Sequence, residues 1–147
     1  PSAPSYASLS PSAQQLLESL AFRSLLDHLS NVSPHVTNMS MMAHTGFCRN
    51  CLGKWLTKHA RDAVREGRVG ELDAERMNGM MLEDFMESVY KEPPKTWKAK
   101  YNGAPSPSLL QAYSSSKSIH ASHVPSSFEP VPPSSVCCVD ADACGVP

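Results

Sequence analysis

Leu16, Leu17, Leu20, Leu25, Leu26 and Leu29 recur at helical spacing, with Phe22 beside them, between Ser10-Pro11 and Pro34. Apolar residues returning every three or four positions line one face of an α-helix. Ser10 suits the N-cap, where its hydroxyl accepts from an orphan backbone N–H, and Pro11 at the first helical position loses no hydrogen bond. The spacing predicts a helix from there to about Leu29, stopped before Pro34. It also predicts a short helix over 36–43, offering Val36, Met39, Met42 and Ala43 to a core. After a break at Gly46, a longer helix is expected over 47–66. Asp73 caps a further helix to Tyr90, with Met77, Met80, Met81, Phe85, Val89 and Tyr90 as its apolar stripe. The proline-led stretches PKTWKAKY (94–101) and SPSLLQAY (106–113) read as two short helices. Strand alternation, hairpin dipeptides and internal repeats are missing from the sequence. The expected fold class is all-α, a small helical bundle of about four to six helices with disordered N- and C-terminal tails.

The helical pattern fades at both ends. Residues 1–9, PSAPSYASL, are small, polar and proline-containing, and read as a flexible lead-in. From residue 114 the composition shifts to Ser, Pro and His without periodicity. Such a segment buries too little surface to offset its ordering entropy and is expected to be disordered. The predicted organisation is a lead-in over 1–9, a helical domain over 10–113 and a tail over 114–147. A domain of about 100 residues folds without a metal or disulfide staple.

Charge changes this picture little. The net charge of -1 on 147 residues removes overall basicity as an argument for nucleic acid. No apolar run reaches the roughly 18–20 residues that span a bilayer. Lys54, Lys58, Arg61, Arg65 and Arg68 advance by helical steps as one basic face, read as solvated and paired within the chain. Met39, Met41, Met42, Met77, Met80, Met81 and Met86 fall on two predicted helices, as core or as a groove for a partner helix. The partner expected is a protein or a second copy of the chain, with neither nucleic acid nor membrane. Five cysteines in uneven positions do not make a secreted disulfide framework, which points to a reducing, intracellular and cytoplasmic setting. Pro1 in place of Met admits processing upstream, so an organelle stays open. Cys137, Cys138 and Cys144 are expected to be inert.

The chemistry-bearing candidate is Cys48-Arg49-Asn50-Cys51. On a continuous helix over 47–66, Cys48, Leu52, Trp55, Leu56, His59 and Ala63 share a face, with Cys51 on its flank. His44, Cys48, Cys51 and His59 spell H-x3-C-x2-C-x7-H, a metal-like spacing. A rise of about 1.5 Å per residue carries His59 roughly 16 Å from Cys48, which leaves at most His44, Cys48 and Cys51 as metal ligands. The redox alternative sets the pair near a helix N-terminus, where the dipole favours a thiolate. It lacks the βαβ surroundings of a thioredoxin-like protein. Packing of both cysteines as small hydrophobes is the plainer reading, with Cys51 the one facing solvent.

The segments FRSLLDHL, VTNMSMMAHTGFCRNCLGKWL and YKEPPKTWKAKY resemble a family of short bacterial proteins known as domain of unknown function 1244, over roughly residues 22–113. The resemblance marks Gly46, Phe47, Cys48, Arg49, Asn50, Cys51, Leu52, Trp55, Trp97 and Lys98 as signature residues and implies a compact all-helical domain. It implies no activity. The expectation is a non-catalytic protein-interaction or oligomerisation module, without cofactor and not an enzyme. The alternative is a thiol-redox or metal-binding protein using Cys48 and Cys51.

Overall fold

Ser10 Oγ accepts the Ala13 N–H at 3.3 Å and Pro11 takes the first helical position, so helix α1 spans Pro11–Asn31. The structure, a computed structural model, describes residues 5–135, and every regular element among them is helical. The chain divides between Val36 and Thr37 into two compact units. In the first, a 3-10 turn over Tyr6–Ser8 folds back on α1: the Tyr6 hydroxyl donates to Glu18 Oε1 at 3.0 Å, and Gln14 Nε2 to the Leu9 carbonyl at 2.9 Å. Helix α1 buries Leu26 and Leu29 and leaves Leu16, Leu17 and Leu20 exposed.

The second unit holds α2 (Asn38–Thr45), α3 (Arg49–Arg65), α4 (Glu71–Gly79), α5 (Leu82–Tyr90), α6 (Pro94–Tyr101) and α7 (Pro107–Ser115). With α1 this makes seven α-helices among the described residues, slightly more than expected. Local chemistry sets several ends. Thr37 caps α2 by accepting the Ser40 N–H at 3.2 Å, and Ser106 caps α7 by accepting the Leu109 N–H at 3.2 Å. Gly46 closes α2 in the left-handed region at φ 77°.

Helices α3 and α5 form the central pair, with α4 also against α3, α6 against α5 and α7 against α2. Leu52, Gly53, Thr57, Ala60 and Val64 of α3 are buried, as are Phe85, Val89 and Tyr90 of α5. Fully burying an aliphatic side chain such as Leu52 or Val89 stabilises by about 1.5–3 kcal/mol. Small residues set the spacing. A Cβ on Gly53 would stand 2.7 Å from Met86 Cγ and 3.1 Å from Met86 Cα, so glycine is what lets α5 lie this close. Thr57 is buried without cost because its hydroxyl donates to the Gly53 carbonyl at 2.8 Å.

Two predicted helices are corrected by the structure. Cys48 is extended (φ -145°, ψ -177°) and serves as the N-cap of α3, so the continuous helix over 47–66 begins two residues late. The buried face of α3 is also rotated. His59 is exposed and Trp55 and Leu56 are half-buried, whereas the small residues Gly53, Thr57 and Ala60 are buried, with α5 packed closely over Gly53. The predicted helix from Asp73 to Tyr90 is broken at Met80 and Met81, both extended, and Asp84 Oδ2 accepts the Met81 N–H at 2.7 Å to start α5.

Arg61 leaves the basic face on which periodicity put it. It is 1% exposed, and its guanidinium donates to the Met77 carbonyl, to the Met80 carbonyl at 2.6 Å and to the Phe128 carbonyl at 3.1 Å. Three of the four remaining cations of that face are neutralised locally: Lys58 and Arg65 both pair with Asp62, at 2.5 and 2.8 Å, and Arg68 with Glu66.

Composition predicts disorder from residue 114 onward, yet a strap over residues 121–131 is laid against the helices. A 3-10 turn over Pro125–Phe128 contacts α3, and Val131 is buried. Asn78 joins the Val131 backbone in both directions, donating to its carbonyl at 3.0 Å and accepting its N–H at 2.7 Å. Scattered apolar residues suffice here because side chains of the helices satisfy the strap's backbone groups. Cys137, Cys138 and Cys144 lie outside the described residues. No helix among the described residues is long and apolar enough to cross a membrane.

Candidate functional site

Gly46 ends α2 and Cys48 starts α3, and the sharp turn between them brings the two cysteines to the floor of a cleft of about 480 Å³. Only glycine fits at position 46. Its φ is left-handed, and a Cβ would fall on the Ile119 carbonyl oxygen. The Gly46 carbonyl in turn accepts the Ala121 N–H at 2.7 Å, which fixes the segment that carries Ala121 and His123 into the cleft wall. Asn38, Met39 and Met42 of α2 form another wall, Asn50 and Lys54 come from α3, and Lys98 and Asn102 lie at and just past the end of α6.

The sulfurs of Cys48 and Cys51 are 3.9 Å apart, and both residues are buried, at 5% and 4% exposure. Cys51 therefore does not face solvent as the continuous-helix geometry predicts. The hydrogen bond from the Cys51 thiol is the largest influence on Cys48 and brings its pKa down to about 6 against the opposing effect of burial. The backbone N–H groups of Cys51 and Asn50 at the open end of α3, and the Lys54 charge, act in the same direction. They act as oriented dipoles, since Cys48 makes no side-chain capping hydrogen bond. The same contact, with burial, pushes Cys51 up. The two shifts run in opposite directions and favour the thiolate at Cys48 over Cys51.

A polar chain runs behind the pair. Asn38 Nδ2 donates to the Tyr90 hydroxyl at 2.7 Å, which donates to Asn50 Oδ1 at 2.6 Å. Burial pushes Tyr90 up to about 12, so its proton stays in place. Arg49, 1% exposed, lies over the Trp97 ring at 4.4 Å and donates to Met41 Sδ at 3.4 Å. Two residues that sequence marks separately, Arg49 and Trp97, are therefore one contact that ties α6 to the start of α3. Trp97 is further flanked by Tyr90 and Tyr101, each at 5.1 Å. Phe47 and Trp55 meet at 5.8 Å, and His123 lies 6.1 Å from Trp55.

His44 does not join the sulfurs. Its Nδ1 pairs with the Ser40 carbonyl at 2.7 Å on its own helix, and no group of three His, Cys, Asp or Glu side chains gathers for a metal among the described residues. Among the cleft residues not singled out in the sequence are Asn102, Asn38, whose amide looks like any helix N-terminal residue, and Ala121 and His123, placed by composition in the tail. The apolar Val124, Phe128 and Val131 around His123 were the available signal that this segment covers something. His123 is held below the ordinary histidine range by burial and by Lys54.

The family described as Protein of unknown function (DUF1244) matches residues 36–115, more than half of the chain. The matched span contains every lining residue named here except Ala121 and His123. No curated protein matches the chain.

Proposed function

This chain belongs to the family described as Protein of unknown function (DUF1244), a membership that brings no activity with it, and from its cleft we propose a thiol–disulfide exchange protein. The observation that carries this reading is the pair of sulfurs 3.9 Å apart at the start of α3, at the floor of an open cleft. Cys48 is the nucleophile. Its thiolate attacks one sulfur of a substrate disulfide, a Cys48–substrate disulfide forms, and the other substrate sulfur leaves as a thiolate. Forming that bond removes the charge on Cys48, and with it the contact that held the Cys51 proton. Cys51 then gives up its proton to the departing thiolate and attacks Cys48 Sγ, which releases the second substrate thiolate. Two protein thiols and one disulfide become one protein disulfide and two thiols, and a low-molecular-weight thiol restores the starting state.

The test uses a chain with Cys137, Cys138 and Cys144 replaced by Ser and neutral 2-hydroxyethyl disulfide as substrate. Mass spectrometry is expected to find the Cys48–Cys51 disulfide in this chain, a trapped mixed disulfide at Cys48 in the additional Cys51→Ser variant, and no adduct in Cys48→Ser. Folded protein that leaves both cysteines reduced sinks the reading.

The exposed Leu16, Leu17 and Leu20 of α1 support a second reading, an interaction or oligomerisation module. Light scattering on the full chain is then expected to give a dimer that Leu16→Gln with Leu20→Gln dissociates. A monomer throughout the micromolar range counts against it.

A further inference from the structure

Resting on the exchange reading, we propose that the substrate is a small disulfide bearing carboxylates, drawn into the cleft by Lys54 and Lys98. Size points to a small molecule. The cleft, about 480 Å³, falls in the range of small-ligand sites, and Cys48 and Cys51, only 5% and 4% exposed as residues, are out of reach of a disulfide on a folded protein surface. Charge points to an anion. Lys54 and Lys98 line the cleft, no Asp or Glu lines it, and neither lysine has an acidic partner among the described residues. By contrast Lys58, Arg65, Arg68 and Lys100 are each paired with a carboxylate. Two unpaired cations around one opening, in a chain of net charge -1, are a local feature and not a reflection of overall basicity.

The walls add a second requirement. Asn38, Asn50 and Asn102 line the cleft, and side-chain amides pair with the N–H and C=O groups of a ligand amide. Met39 and Met42 offer adaptable apolar contact to the methylenes between such groups. A peptide-like disulfide with carboxylate ends and internal amides meets all of these demands. A cationic or purely apolar disulfide does not.

Binding and exchange are tested separately. S-Methylglutathione carries the same carboxylates and amides but cannot exchange, so its saturable perturbation of the Asn102 and His123 resonances reads recognition alone. The Lys54→Gln/Lys98→Gln variant is expected to bind it about tenfold more weakly, the scale of two solvated ion pairs, while Lys54→Arg/Lys98→Arg retains binding. In the exchange assay, glutathione disulfide is expected to outpace 2-hydroxyethyl disulfide and cationic cystamine at low salt, and to lose that advantage in the Gln variant. Absence of saturable binding, or binding indifferent to both lysines, overturns the assignment of substrate even if Cys48 exchanges with the neutral disulfide. Failure of the neutral disulfide to react overturns the exchange reading instead, whatever S-methylglutathione does.

Discussion

Arg61→Leu is expected to lower the stability of the chain by about 3–5 kcal/mol, and Arg65→Leu, one turn further along the same helix, by no more than about 1 kcal/mol. Both residues sit on what the sequence presents as one basic face. Arg65 is 44% exposed and shares Asp62 with Lys58, a solvated arrangement worth little. Arg61 is 1% exposed and serves three backbone carbonyls, of Met77, Met80 and Phe128, where α4 ends and the strap crosses α3. The last carbonyls of any helix lack intrahelical partners, and these, partly buried, have limited access to water. Leucine keeps much of the arginine stem's apolar contact but removes the guanidinium that lies 5.7 Å from the Phe85 ring centre and leaves all three acceptors stranded. Urea denaturation followed by circular dichroism checks the difference. Arg61→Lys is expected to recover only part of the loss, because an ammonium is a point charge and not a planar fork. Equal effects of Arg61→Leu and Arg65→Leu would remove the guanidinium from the architecture.

That contrast marks the boundary of what the sequence discloses. Ser10-Pro11, Pro94 and Ser106-Pro107 announce helix starts because capping is settled within four residues of chain. The all-helical class was legible for a similar reason, since helical spacing of apolar residues is a local signal and Ser or Thr caps α1, α2 and α7. The break at Met80 and Met81 was not, because it is held from outside the segment, by an arginine of α3 bonded to the carbonyls that the break frees. The burial of α3 misled for a related cause. Periodicity counts bulky apolar residues, whereas α5 approaches α3 over Gly53, whose value lies in having no side chain. His123 escaped because composition measures whether a segment can fold alone, and residues 116–135 fold on a surface that other residues supply. In the cysteine motif the neighbours were legible and their tasks were not. Arg49 and Asn50 look too polar to pack, yet Trp97 and Tyr90 lie 48 and 40 positions away in the chain and receive them.

Replacing Cys51 is expected to change the pH at which Cys48 reacts far more than its rate at neutral pH. With Cys51 present, the midpoint for mixed-disulfide formation at Cys48 lies at about 6, since the Cys51 thiol is the main support of the Cys48 thiolate. In Cys51→Ala that support is gone, the dipoles of α3 and Lys54 remain, and burial still opposes charge. The midpoint is expected to rise into the range of about 7–8.5. A thiolate of higher pKa is also a better nucleophile, so at pH 7 the gain in reactivity and the loss of thiolate nearly cancel. At pH 5.5 the wild type is expected to react about tenfold faster, which makes acidic pH the informative condition. Stability follows with a definite sign. Cys48 has a folded pKa below its unfolded value, so its contribution is full above the unfolded thiol range and is lost as pH falls through about 6. Cys51 is raised and opposes folding only at higher pH. Cys51→Ala should therefore flatten the rise in stability between about pH 6 and 9. A wild-type midpoint near 8.5, unmoved by the substitution, would make Cys48 an ordinary buried thiol and leave the cleft without its nucleophile.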